Sequence, residues 1–222
     1  TEAAHGSFVC TGIRTTGEHT AKMSIFSLQM DKLGHYRRLA GVDGIARRCF
    51  ANNSFDGILT MVGVIIGSYV AGLLDPRVVL TTGLATCMAM GVSGCWGAYV
   101  SERAERRHQL QELEHAMLRD MHLTEQARAS RFAVWVISAV DGLSPLLSGS
   151  VVLIPFMLSG RLITIQQAYI SSLIIALGLL FGLGVFLAKV GRDGILRSGI
   201  RMVIAGLVCV VMSFLLSSRS AG

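Results

Sequence analysis

Apolar residues run through this chain in five long blocks, separated by short polar turns and by one long charged stretch. The first block, GILTMVGVIIGSYVAGLL from Gly57 to Leu74, contains no charged residue. As a helix those positions span roughly 27 Å, close to the hydrocarbon thickness of a bilayer. The other blocks are Val78 to Tyr99, Phe132 to Met157, roughly Ile165 to Ala188 and roughly Ile200 to Leu216. Asp75-Pro76-Arg77 and Ser159-Gly160-Arg161 are too short for anything but a reversal of direction, so the pattern predicts two helical hairpins. The fold class is all-α, a polytopic membrane protein with five transmembrane helices.

Polar residues inside the blocks are few, and their spacing assigns faces. Asn53, Asp56, Thr60, Gly63, Gly67 and Ala71 follow one another at steps of three or four and form one stripe on the first helix. Gly63, Gly67 and Ala71 make a small-xxx-small run, which in lipid lets another helix approach closely, so this stripe is a candidate helix interface. A carboxylate entering a hydrophobic span costs about 2.5 to 3.5 kcal/mol at the helix centre unless it faces protein, water or a cation. Asp56 is therefore a candidate pathway residue; the alternative is that it caps the helix N-terminus.

The second block carries small residues near one side, including Gly83, Cys87, Gly94, Gly97 and Ala98, and is expected to pack tightly on a neighbour. Met90, Cys87 and Cys95 are soft ligands for a transition metal, or ordinary packing residues. The third block combines an acid, Asp141, with Pro145 and Pro155, a pairing of charge and helix breaks that recurs where transporters bind ions. FDGILTMVG at 55 to 63 and VDGLSPLLSG at 140 to 149 share an Asp-Gly at an offset of 85, which suggests a parallel internal repeat.

Two charged regions flank the blocks. Residues 1 to 22 lack a signal-peptide core and are expected to be poorly ordered. Residues 23 to 50 are basic and amphipathic, suited to lie at the headgroups or to lead directly into the first span. The segment 102 to 131, set within the five-helix domain of residues 51 to 217, has no Pro or Gly and reads as continuous helix. Leu110, Leu113, Met117 and Met121 line one of its faces, and Glu105, His108, Glu112, His115, Arg119 and His122 the other. His108, Glu112 and His115, or Glu102 and Glu105, have spacing suited to a divalent ion. The alternative is a solvated charged face opposite a seam that packs on a partner helix.

Composition agrees with the blocks: 52% of residues are hydrophobic and 15% charged. The net charge of +6 is explained by topology rather than by nucleic acid, because seventeen of the 20 Lys and Arg residues fall before the first span, between the second and third, or between the fourth and fifth. That asymmetry puts the N-terminus in the cytoplasm and the C-terminus outside. Five cysteines without a CxxC pair make neither a disulfide framework nor a zinc site.

NSFDGILTMVGVIIG in the first span and GAYVSERAE at the end of the second, with the five-span count, resemble the vacuolar iron transporter family over about residues 45 to 217. The likeness is to its shorter prokaryotic members, which implies an integral membrane protein, in the cell membrane if the source is prokaryotic. It implies a homodimer whose first helices meet at the two-fold axis and line a path for ferrous or manganous ions, exchanged for protons, with no tightly bound cofactor. On that pattern Asp56 is the pathway carboxylate, and Glu102 and Glu105 are the first cytoplasmic metal-binding acids. The sequence departs from the family at two positions: its usual intramembrane methionine falls at Gly94, and the glutamate before the tyrosine falls at Ala98. Met90 or Cys95 are the available substitutes. The insert is also too short for the three-helix metal-binding domain of plant-type members.

The leading reading is a divalent-metal carrier using Asp56, with Asn53, Thr60, Met90 and Asp141 beside it. The alternative is a non-transporting membrane scaffold or sensor that holds a partner through its cytoplasmic helix. Such a scaffold needs no membrane acid. No nucleophile and base pair, phosphate loop or cofactor fingerprint points to an enzyme.

Overall fold

The computed structural model describes residues 41–117, 125–159, 162–191 and 194–220. These form α1 (Val42–Val70), α2 (Pro76–Met117), α3 (Glu125–Val152), the short α4 (Ile154–Leu158), α5 (Ile165–Gly191) and α6 (Ile195–Ser220). Five of the helices are long and apolar enough to cross a membrane, and the protein is an integral membrane protein. Residues 1 to 40, with most of the expected basic leading segment, lie outside the described residues.

α1 begins fifteen residues earlier than the apolar block does, because Val42, Ile45 and Ala46 pack with Ala133 and Ile137 of α3 in a small cluster of their own. Residues 42–50 thus lead directly into the first span as its opening turns. At the other end α1 stops at a Schellman turn. Gly72 adopts φ 69°, its N–H donates to Tyr69 O (3.1 Å), and Leu73 N–H donates to Ser68 O (3.1 Å). The Tyr169 hydroxyl then donates to Leu73 O at 2.9 Å, tying this turn to α5.

The expectation of one continuous helix over 102–131 is corrected. α2 runs unbroken from its span to Met117, α3 starts at Glu125, and Arg103 to Glu114 flank the same groove as Ala127 to Val134. The chain therefore doubles back within the segment. Its two ends must re-enter the membrane side by side, and the two apolar faces bury best against each other. Arg119, Met121 and His122, expected on that helix, lie outside the described residues. The third block is also divided: Pro155, in the first turn of α4, ends α3 at Val152, whereas Pro145 stays inside α3.

α1 and α3 are the most enclosed spans, and α6 is the least. Glycines set their spacing. A Cβ on Gly142 of α3 would lie 2.5 Å from Gly91 O and 2.6 Å from Cys95 Cβ of α2, and one on Gly57 of α1 would lie 2.7 Å from Pro145 Cα. On the far side, a Cβ on Gly184 of α5 would lie 2.7 Å from Gly199 Cα of α6. Lipid offers no hydrophobic driving force between helices, so close backbone contact of this kind holds the bundle together. The second block does pack tightly on its neighbours, through Gly91 and Gly94 against α3 and Gly83 against Leu153 between α3 and α4, while Gly97 meets nothing within 4 Å among the described residues.

Candidate functional site: carboxylates on the first and third spans

α1 and α3 run parallel and in register. Asn53 faces Asp141, Gly57 faces Pro145 and Met61 faces Gly149, each pair one helical turn beyond the last on both helices. Asp141 therefore stands opposite Asn53, one turn away from the level of Asp56. At this rung Asn53 Nδ2 donates to Asp141 Oδ1 at 2.5 Å and also to Cys49 O at 3.0 Å. The Cys49 thiol lies beside the same carboxylate. Sequence reasoning missed Cys49, although it lies four residues before Asn53 and extends the polar stripe by one turn.

Pro145 has no N–H, so the Asp141 carbonyl loses the donor that a helix ordinarily supplies four residues on. The neighbouring hydroxyls turn inward: Ser144 Oγ donates to Val140 O, and Ser148 Oγ donates across to Ser54 O of α1 at 3.2 Å. Gly94 of α2 closes the rung, since a Cβ there would lie 3.2 Å from Asp141 O. A larger side chain at this position would press on the α3 backbone. The glycine is matched to the close approach of α3.

Asp56 is placed differently. It sits half-way along α1, well past the Gly41 N-cap, so it does not cap the helix. It is exposed on the protomer surface, and among the described residues its carboxylate has no hydrogen-bond or ionic partner. Thr60, Gly63 and Gly67 continue this face half-buried, and Ala71 is exposed at its end. A Cβ on Gly67 would meet nothing within 4 Å, whereas one on Gly63 would lie 3.9 Å from Ser213 Oγ of α6. This face of α1 is thus only partly covered from Asp56 to Gly67.

Of the soft ligands, Cys87 is buried with its Sγ 3.6 Å from Met61 Sδ, and Gly149 of α3 lies against both. Met90 is half-buried and Cys95 is exposed, and neither makes a polar contact with Asp56. At the charged end of α2, Glu102 is held by Arg106 Nε at 2.8 Å and Glu105 accepts from Gln109 Nε2 at 2.9 Å. His108 Nε2 lies 3.6 Å from Glu112 Oε1, both exposed, and His115 is exposed beyond them. Among the described residues no three His, Cys, Asp or Glu side chains converge in a group that could hold a metal ion. Within one protomer, then, the sequence candidates form two connected pairs, Asn53 with Asp141 and His108 with Glu112, and leave Asp56 facing outward.

Two comparisons bear on this arrangement. The family model described as the VIT family matches residues 53–129 and 110–218. An uncharacterized protein of Methanocaldococcus jannaschii is 27% identical over 172 residues, covering 76% of this chain and 87% of the relative.

Proposed function

The chain belongs to the vacuolar iron transporter (VIT) family, a family of membrane metal-ion transporters, and from that premise we propose that it carries ferrous or manganous ions across the membrane in exchange for protons. The observation that carries this reading is Asp56, an acid half-way along a membrane-crossing helix, exposed on a partly covered face of α1 and without a protein partner among the described residues. Facing lipid, such a carboxylate costs several kcal/mol. A second copy packed on the same face would enclose it and set two carboxylates about one axis. Two such carboxylates repel unless they share a proton or a cation, which makes the pair a binding site for a divalent ion and a place where protons return.

Oxygen ligands suit manganese and ferrous ion alike, and Thr60 and Asn53, a turn to either side, add neutral oxygens on the same stripe. Asp141, gripped by Asn53, is set to couple its own charge to that stripe. The arginine-rich end of the bundle faces the cytoplasm in this reading, by the positive-inside rule. There Glu102 and Glu105 would meet the ion first, with His108, Glu112 and His115 further out. Arg103, Arg106 and Arg107 oppose a cation at this end, so these residues collect it only weakly.

The test is uptake of ferrous, manganous, cobalt and zinc ions into proteoliposomes with and without a pH gradient. Wild-type protein should accumulate ferrous or manganous ion faster with the gradient, and Asp56→Asn protein should show background uptake. Equal rates for the two proteins would remove the carboxylate from the path and leave the scaffold reading standing.

A further inference from the structure

The charged ends of α2 and α3 enclose a groove of about 300 Å³ that the transport reading does not use. Arg103, Arg106, Arg107 and Arg131 line it, with Ser130 and Glu114. Arg106 is engaged with Glu102 at 2.8 Å. Arg107 and Arg131 are exposed and have no acidic partner among the described residues. Counting Glu102 and Glu114 against the four arginines, the groove keeps a clear positive excess.

Its depth is marked independently. Trp96 and Tyr99 of α2 and Trp135 of α3 form a ring cluster across the same helix pair, with centroids 6.2 and 5.4 Å apart. Trp96 and Trp135 are 71% and 67% exposed. Exposed Trp and Tyr on a membrane-crossing helix mark the headgroup boundary. Arg131 lies one helical turn from Trp135, and Arg103 one turn from Tyr99, whose hydroxyl accepts from Arg103 Nη1 at 3.1 Å. Arg103 and Arg131 therefore stand roughly 6 Å on the water side of the rings, where lipid phosphates lie, and Arg107 one turn further out.

We propose that the groove between the charged ends of α2 and α3 binds a phosphate group, and that its depth assigns this phosphate to the headgroup of an anionic phospholipid. Guanidinium groups match phosphate oxygens in pairs, and Arg107 and Arg131 reach the groove from opposite helices. A lipid held there clamps the hairpin on which Glu102 and Glu105 stand.

The test is native mass spectrometry of the full chain in mild detergent, offered equal amounts of phosphatidylglycerol and phosphatidylcholine with matched acyl chains. Wild-type protein should retain phosphatidylglycerol preferentially, and the double variant Arg107→Gln/Arg131→Gln should lose a preference of roughly thirtyfold, about fivefold for each arginine near the surface. The control Arg197→Gln/Arg201→Gln, at the start of α6, should keep it. No preference in the wild type, an unchanged double variant or an equal loss in the control overturns the site. Displacement of the lipid by millimolar inorganic phosphate overturns the lipid assignment in favour of free phosphate. In the unmutated chain, a phosphatidylglycerol analogue with a photoreactive headgroup should label peptides spanning 103–107 and 127–131, and labelling confined to other regions also sinks the proposal.

Discussion

Asp56 and Asp141 are both acids in membrane-crossing helices, yet their surroundings give them different work. Asp141 is held by the Asn53 amide at 2.5 Å, with the Cys49 thiol beside it, so it joins α1 to α3. Asp56 is exposed and touches no partner among the described residues, so it contributes little to the protomer's own stability. Asp141→Ala should accordingly lower stability by about 1 kcal/mol, the usual scale for an interhelical hydrogen bond in a membrane. Asp56→Asn should stay within about 0.5 kcal/mol of wild type. Thermal unfolding of detergent-solubilised protein, followed by loss of the monodisperse peak, separates the two. If Asp56→Asn proves the more damaging, Asp56 is structural, and loss of uptake in that variant no longer speaks for an ion site. Asp56→Glu, which keeps the charge, should retain part of the uptake.

At the scale of elements, one run of small residues on α2 divides into contact and open positions. A Cβ at Gly142 would strike the Gly91 carbonyl and the Cys95 backbone, neither of which swings aside as a flexible side-chain end would. Gly142→Val should therefore cost about 1 to 3 kcal/mol, the range for overpacking a filled interface. Gly97→Val, where nothing lies within 4 Å, should be close to neutral. The same thermal assay decides between them, and equal stability of the two variants would mean that α2 and α3 cross elsewhere. Proline works in the same graded way. Pro155 ends α3, but Pro145 is absorbed because Gly57 lets α1 close over it.

At the scale of the whole molecule the Asp56 face of α1 is the proposed contact between two copies. Gly67 is the cleaner probe of a two-fold contact, since a side chain at Gly63 points toward Ser213 of the same protomer. We expect wild-type protein to be a dimer in mild detergent and Gly67→Leu to shift it to monomer, as measured by light scattering on a sizing column. A Gly67→Leu protein that remains dimeric at the same concentration would place the interface on another face. An Asp56 site shared about the two-fold axis also predicts that transport falls with the dimer in this variant, although Gly67 lies three turns from the acid.

The sequence by itself determined the number of spans, their all-α character, the family and the stripe that carries Asp56. Each of these depends on local period and composition, which tertiary contacts do not alter. It did not determine where the helices begin and end. α1 starts at Val42 because Ala133 and Ile137, some ninety residues away, cover its first turns. The segment 102 to 131 doubles back because two spans must re-enter the membrane together. The partner of Asp141 was decided only by the parallel register of α1 and α3. That register is set by a glycine meeting a proline and by a methionine meeting a glycine, contacts with no periodic signature in either helix. Gly94 shows the same limit. The sequence shows only a departure from the family's methionine there, and the structure supplies the reason, since α3 passes so close that a glycine is what fits.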